Sequence, residues 1–477
     1  MEETSVFIGE KLLRIEAENG IFELKVNEVY LWQYVRYYCL TKILEEVTGI
    51  ETINKPNSLE LNCAAKNNTI KEWIKKQQFL VHKKDILVLN HPRRVKEGNY
   101  YKCYVTDAIL DNMDYSYYVY ENKYNGTHLI PVKTKNLRYV NIDVIKKFRR
   151  YDEQKDNKSL KDFIVKIVSV FEQGLGVMFS RQLKDFLFSY IKSTFHNMFY
   201  YRIWAEIVLT LVHPRVLIVT VGYNPFIQVM VAQAKKHKIH TIELQHGRIG
   251  DTHIAYNYVY RGRIEAFADY MFAYGDYEKV IPRYPVDKDH VKAVGYPELE
   301  KKSAYYLSKK RKRKQKIITF ISGPEDGKVV SKYAINLRKN NRLKNVRMIY
   351  KLHPSEYGEW EKWYPDLVNS ELEIVSENTH DIYYYIGNSD YIVGISSTVL
   401  FEAVAFNARV FIIKEKDYRK AEVLCQYNMA SFIRSESELE ERIISDHMER
   451  LQVDNGRFFK KDSVENIKRE LKKIISS

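Results

Sequence analysis

The chain has 477 residues, and its content of 45% apolar and 29% charged residues is ordinary for a folded globular protein, which excludes bulk disorder. A single hydrophobic core rarely grows beyond about 250–300 residues, so this length predicts two domains. The net charge of +15 favours anionic partners, namely phosphate-bearing substrates, the anionic face of a membrane or nucleic acid.

The first residues lack the pattern of a secretory signal, because they are acidic and do not lead from a basic stretch into an apolar one. No uncharged run approaches the roughly 20 residues that a membrane span requires. The cysteines form no CxxC pair, so neither a zinc site nor a disulfide scaffold is indicated; they are Cys39, Cys63, Cys103 and Cys425. We expect a cytoplasmic protein, either free or held peripherally on the inner face of the cell membrane.

Residues 1–80 predict a mainly helical region without a glycine-rich nucleotide-binding loop. The first strong strand is Asp85–Asn90, which runs into His91-Pro92-Arg93-Arg94, where proline prevents the strand from continuing. Polar side chains at such a strand end are candidates for chemistry. Further strands are predicted at Tyr117–Tyr120 and His128–Val132, and helices over 142–197.

A second strand end carries a histidine. The apolar strand Arg215–Val221 and the helix Pro225–His237 lead to the strand Ile239–Leu244, which ends in Gln245-His246-Gly247. Glycine permits a sharp turn that exposes His246, so this imidazole is a candidate base for an acceptor hydroxyl. Glu243 would orient the ring if the turn brings the two side chains together. The alternative is a buried polar cluster that closes a loop.

From about Ala266 the alternation of strands and helices becomes regular, which predicts a parallel, Rossmann-like sheet with helices on both faces. The predicted strands are Tyr270–Ala273, Val291–Val294, Lys316–Ser322, Val346–Leu352, Leu372–Val375, Tyr391–Ile395 and Val410–Ile413. The predicted helices are Lys328–Leu337, Thr379–Gly387, Thr398–Phe406 and Lys420–Tyr427. A last helix, Ser463–Ile475, is placed to cross back to the first domain.

Ligands of doubly wound sheets bind at the carboxyl ends of the strands, and His353 stands at such an end, directly before a proline. An imidazole there can donate to a donor phosphate or act as a general acid on the leaving phosphate oxygen. The alternative is a solvent-facing histidine before a turn.

Three hydroxyl residues follow the predicted strand at 391–395 and open a helix: Ser396, Ser397 and Thr398. Such residues satisfy the free N–H groups of a helix start, and the same N-terminus can bind an anion. By itself this is an ordinary helix cap. Together with His353 it would form the second side of a phosphate pocket.

Weaker candidates remain open. Gly323–Gly327 could lie under a phosphate or sugar, or could be a plain turn after a strand. Asp287-Lys288-Asp289 resembles a metal-binding DxD motif, but it lies in a polar loop before a strand, so no metal is predicted. The basic cluster Lys309–Lys314 is either a solvated segment or a patch for a membrane surface or phosphate.

With these elements in order, the chain resembles a broad bacterial group of capsule-type glycosyltransferases that includes polysialyltransferases and Kdo transferases, with CDP-glycerol glycerophosphotransferases as more distant relatives. The resemblance covers roughly residues 215–415. It is carried by ELQHG at 243–247, FAYGD at 272–276, VGYPELE at 294–300, YKLHPSEYGEW at 350–360 and SDYIVGISSTVLFEA at 389–403.

The resemblance implies an α/β protein of the GT-B fold, with two Rossmann-like domains that face a central cleft and a helical N-terminal elaboration. It implies an acceptor-side domain at 1–262, a nucleotide-donor-binding domain at 263–455 and a C-terminal helix at 456–477. The activity implied is inverting, metal-independent transfer of a sugar from a CMP-, CDP- or UDP-linked donor to a glycan or lipid-linked acceptor in surface-polysaccharide synthesis, without a cofactor.

The resemblance also assigns roles to residues. His246, with Glu243, and His353 are the implied catalytic residues. The resemblance matches His353, Ser396 and Ser397 to residues that contact the donor phosphate. We also predict Thr398, Gly323, Lys351 and Glu402 on the donor side, and His91, Arg93, Arg94 and Gln245 on the acceptor side. The related sialyltransferases carry an acidic-acidic-glycine motif well upstream of their His-Pro element. Here Glu325-Asp326-Gly327 ends 26 positions before His353, which argues against a CMP-sialic acid donor.

Two other functions fit the residues. One is transfer of glycerol phosphate or a similar alditol phosphate from a CDP-linked donor, for which the same pocket would serve. The other is a basic protein that binds nucleic acid or a polyanionic glycan without catalysis. The charge alone favours this second alternative, and no recognised nucleic-acid motif accompanies the charge.

Overall fold

The computed structural model describes residues 2–49, 75–151, 157–309, 315–339, 341–377, 379–416, 418–445 and 456–477. Cys63 and all but the first residue of the basic cluster Lys309–Lys314 lie outside the described residues. Within the described ranges, no helix is long and apolar enough to span a membrane.

The N-terminal half is built on a seven-stranded parallel sheet in the order β5-β4-β1-β6-β7-β8-β9, and β2 and β3 form a separate antiparallel hairpin. Its central strands are apolar runs that are buried along their whole length, as expected of a parallel sheet covered on both faces. The strands are β1 (Ile86–Leu89), β2 (Val95–Glu97), β3 (Tyr100–Lys102), β4 (Tyr117–Glu121), β5 (Leu137–Tyr139), β6 (Val216–Thr220), β7 (His240–Leu244), β8 (Tyr270–Ala273) and β9 (Val291–Ala293).

Helices cover this sheet and extend beyond it. They are α1 (Glu2–Glu18), α2 (Trp32–Thr48), α3 (Asp107–Leu110), α4 (Asp143–Phe148), α5 (Asn157–Leu175), α6 (Arg181–Val212), α7 (Pro225–Lys236) and α8 (Asp276–Val280). Four of them, α1, α2, α5 and α6, share one apolar core with the loop that follows β7. This core is the predicted helical elaboration of the N-terminal domain.

The C-terminal half contains a six-stranded parallel sheet in the order β12-β11-β10-β13-β14-β15. Its strands are β10 (Ile317–Ile321), β11 (Arg347–Lys351), β12 (Glu373–Val375), β13 (Tyr391–Gly394), β14 (Arg409–Ile413) and β15 (Ala430–Ile433). The helices of this half are α9 (Pro297–Lys309), α10 (Gly327–Arg338), α11 (Trp360–Trp363), α12 (Pro365–Val368), α13 (Ile382–Asn388), α14 (Val399–Val404), α15 (Arg419–Gln426) and α16 (Glu436–Ser445).

Two strands predicted for the second sheet belong to the first. Strand β8 pairs with β7 and β9 pairs with β8, so the first sheet extends to Ala293 and the predicted boundary at 262 is wrong. The regular alternation of strands and helices runs across the boundary, and for that reason the pattern did not mark it. The predicted strand His128–Val132 is also wrong, since only Val132 forms an isolated bridge there.

The last helix, α17 (Ser463–Ser476), packs its apolar face against the first sheet. The backbone around Phe458 and Lys460 approaches the ends of β8 and β9 so closely that a Cβ atom at Gly275 or Gly295 would overlap it. The two sheets are Rossmann-like domains that meet at the carboxyl ends of their strands, with a helical elaboration on the first. This is the predicted GT-B fold.

Candidate active site in the interdomain cleft

His246 lies directly after β7 on the N-terminal side of the cleft, among aromatic rings and a second imidazole. Its ring centroid is 5.9 Å from that of His91, and its Nε2 is 3.4 Å from the hydroxyl of Tyr223. Its Nδ1 is buried without a hydrogen-bond partner in the described part of the chain. Burial, with smaller contributions from His91 and His253, lowers the pKa of His246 to about 3. The imidazole is therefore neutral near pH 7 and can accept a proton.

Glu243 does not orient His246. Its carboxylate accepts hydrogen bonds from the N–H of Gly222 at 2.7 Å and from the hydroxyl of Tyr256 at 2.5 Å. Burial raises the pKa of Glu243 to about 7. The predicted pairing of Glu243 with His246 is wrong because the Glu243 carboxylate points to the turn that follows β6. A residue larger than Gly222 in that turn would overlap the carboxylate.

Gln245 is a structural residue of the same turn and not an acceptor contact. Its side chain is buried, donates to the carbonyl of Gly247 at 2.8 Å and accepts from the backbone N–H of Tyr274 at 2.6 Å. These two bonds hold the turn that carries His246 against the end of β8.

The two arginines after β1 have different environments. Arg94 is buried and pairs with Glu121 at 2.6 Å, so the prediction that it faces an acceptor is wrong. Arg93 is exposed, and its charge contributes to the lowered pKa values of His91, on its own domain, and His353, on the other. The predicted contact of Arg93 with an acceptor stays a prediction.

His353 follows β11 on the C-terminal side. Its Nδ1 accepts the backbone N–H of Ser355 at 3.2 Å, and the Ser355 hydroxyl lies 2.7 Å away. Burial, then the charges of Arg93 and Lys351, lower the pKa of His353 to about 4. A neutral imidazole whose Nδ1 accepts carries its hydrogen on Nε2, so His353 is a hydrogen-bond donor near pH 7.

A buried carboxylate fixes this turn. Glu356 accepts the backbone N–H of His353 at 2.6 Å, the hydroxyl of Ser322 at 3.0 Å and the hydroxyl of Tyr364. Lys351 is also buried and donates to the carbonyl of Leu352 at 2.9 Å and to the hydroxyl of Tyr357. Lys351 therefore stabilises the His353 turn, and its predicted contact with a donor stays a prediction.

Asp326 lies against two residues that were predicted to contact the donor phosphate, Ser396 and Gly323. One of its oxygens accepts from the hydroxyl of Ser396 at 2.8 Å and from the Ser396 N–H at 3.3 Å. A Cβ atom at Gly323 would lie 2.7 Å from its other oxygen. Gly323 therefore makes room for Asp326, and Ser396 is held by this carboxylate; the predicted phosphate contacts of both residues stay predictions.

Ser397 and Thr398 are the hydroxyl residues left for a ligand. The Ser397 oxygen accepts the N–H of Val399 at 3.3 Å, which leaves its hydroxyl hydrogen free to donate, and Thr398 is exposed. In the described chain, neither backbone N–H of this pair has a hydrogen-bond partner.

Glu402 lies on the first turn of α14, half-buried at the boundary between the domains. Burial raises its pKa to about 7, and a hydrogen bond from Tyr383 partly offsets this. Its charge acts on Tyr104 of the N-terminal domain. The predicted contact of Glu402 with a donor stays a prediction.

Arg248 is a contact that sequence reasoning missed. It follows the turn of His246, lies 4.0 Å above the ring of Phe401 on α14 and donates to the carbonyl of Lys420. The hydroxyl of Tyr104 adds a hydrogen bond of 3.4 Å to the His246 carbonyl. The available signal was an arginine directly after QHG. These contacts link the His246 turn to the helix that follows Ser397.

No group of three or more metal-ligating side chains with metal-binding geometry occurs among the described residues. The predicted absence of a metal stays a prediction.

No protein-family model and no curated protein matches the chain. Among solved structures, it is similar to the UDP-GlcNAc 2-epimerase of Methanocaldococcus jannaschii (12% identity, 81% of this chain and 99% of that chain, TM-score 0.48). It is also similar to the Neisseria meningitidis UDP-GlcNAc 2-epimerase bound to UDP-GlcNAc, at 12% identity over 81% of this chain and 99% of that chain, with a TM-score of 0.47. A third similar structure is the wall teichoic acid polymerase TagF, at 14% identity over 95% of this chain and 99% of that chain, with a TM-score of 0.43. At identities of 12–14%, these similarities say nothing about the chemistry of this chain.

Proposed function

We propose that the protein is an inverting, metal-independent glycosyltransferase that moves a sugar from a nucleotide-activated donor to a glycan or lipid-linked acceptor of a bacterial surface polysaccharide. The observation that carries the proposal is the convergence on one cleft of His246, from the first sheet, and of the His353 turn with Ser397 and Thr398, from the second. A base and a set of hydrogen-bond donors thus stand on opposite walls.

The donor phosphate is assigned to the C-terminal wall. His353 offers an Nε2–H, and Ser397 and Thr398 offer hydroxyls and two unpartnered backbone N–H groups. All of these donors are neutral, and they are fixed before the substrate arrives by Glu356 and by the start of α14. Preorganised donors of this kind stabilise the negative charge that develops on a leaving phosphate.

The acceptor hydroxyl is assigned to His246. Its oxygen attacks the anomeric carbon while the bond from that carbon to the phosphate oxygen breaks, His246 takes the hydroxyl proton, and the nucleotide leaves as an anion. A base with a pKa of about 3 is weak. A bound donor adds negative charge to the cleft and raises that pKa, so His246 becomes an effective base when the donor is present.

A panel of CMP-, CDP- and UDP-linked donors tests the proposal, with binding followed by thermal shift and turnover by nucleotide release. At least one donor should raise the melting temperature of the wild type. His353→Asn should keep the fold and lower donor affinity and turnover by about 10-fold or more, since a hydrogen bond to a charged group is worth about 1.5–3 kcal/mol. No binding by any donor, or unchanged turnover in a folded His353→Asn variant, would contradict the proposal.

The same panel separates sugar transfer from alditol phosphate transfer, for which this pocket could also serve. With CDP-glycerol, phosphate transfer releases CMP and leaves the phosphorus in the product. Sugar transfer from a UDP-linked donor releases UDP and leaves no phosphorus in the new linkage. Phosphorus NMR of the product decides between them.

We also propose that the protein works at the anionic inner face of the cell membrane. The support is a short segment at the end of α4, where Phe148 is 81% exposed between four exposed cations: Lys146, Lys147, Arg149 and Arg150. Aromatic rings favour the membrane interface, and each cation near an anionic surface adds attraction.

A further inference from the structure

The two domains carry the same His-Pro turn at the carboxyl end of a strand. A buried strand ends in His91-Pro92 on the first sheet and in His353-Pro354 on the second. In each turn the histidine Nδ1 accepts the backbone N–H of the residue two positions later, Arg93 at 2.9 Å and Ser355 at 3.2 Å. Both imidazoles are thereby held in the form that carries hydrogen on Nε2.

Arg93 adds a positive charge between the two turns. It is exposed, and its guanidinium forms no ion pair with any residue that the structure describes. Its backbone N–H is bonded to the His91 ring in the same turn at 2.9 Å, and its charge lowers the pKa of both His91 and His353. One cation without an ion-pair partner among the described residues and one imidazole N–H therefore stand in the turn after β1, and the charge of this cation also acts on His353.

His91 also lies beside the proposed base. The rings of His91 and His246 are 5.9 Å apart, and the buried Nδ1 of His246 lacks a partner within the described chain. A group bound by His91 and Arg93 is therefore next to the place where the acceptor hydroxyl must be deprotonated. A buried polar atom without a partner is an independent sign that this wall is completed by a ligand.

We propose that His91 and Arg93 form an oxyanion site that holds a phosphate or carboxylate group of the acceptor, so that the acceptor of this enzyme is acidic. The inference rests on the proposed function, which assigns the donor phosphate to the opposite wall. The planar guanidinium suits an oxyanion with two oxygens in one plane, and the His91 Nε2–H supplies a further donor.

Calorimetric titration of inorganic pyrophosphate tests the site, on the free protein and on protein saturated with whichever nucleotide binds. Nucleotide-saturated wild type should still bind pyrophosphate. Arg93→Gln and His91→Phe should each weaken that binding by 10-fold or more and change nucleotide affinity by less than threefold, whereas Arg93→Lys should retain part of it. His353→Asn should show the opposite pattern. Arg261→Gln, at an exposed arginine beside Tyr260, is the control and should change neither.

The inference and the proposed function fail in different ways. If saturating nucleotide abolishes pyrophosphate binding, or if Arg93→Gln weakens the nucleotide as much as His353→Asn does, the turn belongs to the donor and the inference is overturned. If no nucleotide binds but pyrophosphate binding to the free protein depends on Arg93 and not on His353, the oxyanion site stands and the proposed function falls. Phosphate and acetate, titrated in parallel, show which oxyanion is preferred.

Discussion

Among the residues that the structure describes, no carboxylate lies beside the base assigned to the acceptor. Glu243, three residues earlier, is occupied by Gly222 and Tyr256, and the neighbours of His246 are rings: His91, Tyr223 and Tyr256. Without an adjacent negative charge, its imidazole has little affinity for a proton until an anionic donor is bound. Such a base activates the acceptor only when the donor is bound.

His246→Asn tests this role at the scale of one residue. Asparagine keeps some hydrogen bonding but removes the titrating nitrogen, so kcat should fall by about 10²–10⁴-fold. The donor dissociation constant should stay within about threefold, because the donor is assigned to the other wall. Melting temperature, donor affinity and kcat are measured on one preparation. A kcat near that of the wild type, or a loss of activity that only follows a loss of folded protein, would exclude an essential base.

At the residue scale, the sequence predicted which residues follow a strand better than it predicted where their side chains point. His246 and His353 could be predicted because a glycine or proline directly after an apolar strand places them at its carboxyl end. Arg94, Gln245, Lys351 and Ser396 stand next to such residues, yet they turn to buried partners. Glu121, Tyr274 and Asp326 lie 27 or more positions from the residues they bind, so spacing could not reveal them. Tyr357 lies only 6 positions from Lys351, but the sequence does not show which way that lysine turns.

At the scale of elements, the helical elaboration braces the cleft. Arg36 of α2 is buried, pairs with Glu16 of α1 at 2.5 Å and donates to the carbonyls of Ile254 and Asn257 at 2.9 and 3.2 Å. Those carbonyls belong to the loop that follows the His246 turn and carries Tyr256. Helices α1 and α2 thus stabilise the loop that packs against the proposed base.

Arg36→Met should therefore destabilise the protein by about 3–5 kcal/mol, because it leaves the Glu16 carboxylate buried and unpaired. The double variant Glu16→Met/Arg36→Met should recover most of this loss. Arg347→Met, which breaks an exposed pair with Glu373, should cost at most about 1 kcal/mol. Urea unfolding gives all three free energies. Equal losses in the two arginine variants would show that the buried pair has no special role.

The elements themselves were largely predictable, since buried parallel strands are short apolar runs and the long helices have clear periodicity. The division into sheets was not. Strands β8 and β9 satisfy the same alternation as β10 to β15, and only pairing of β8 with β7 assigns them to the first domain. Pairing joins residues such as Ile242 and Tyr270 that no local pattern connects.

At the scale of the whole molecule, the segment Lys146–Arg150 predicts how the protein meets a membrane. Wild type should bind vesicles that contain anionic lipid at low salt and leave them as salt screens the charges. Phe148→Ser should weaken this binding by about 5–30-fold, because burying part of the ring at the interface is worth about 1–2 kcal/mol. Met178→Ser, at a position 77% exposed without four flanking cations, is the control for cosedimentation. Equal binding to neutral vesicles would contradict the proposal.

The chain passes between the domains twice, along α9 and again before α17, and the two passages lie side by side. Glu300 of α9 accepts the backbone N–H groups of Asp462 and Ser463 at 2.8 and 2.9 Å. Because the two crossings are adjacent and lie at one edge, they form a hinge. Relative motion of the two domains is then a rotation about this hinge. We expect a long glycan to enter the cleft from the edge opposite this hinge, where a rotation of a few degrees changes the distance between the two domains most.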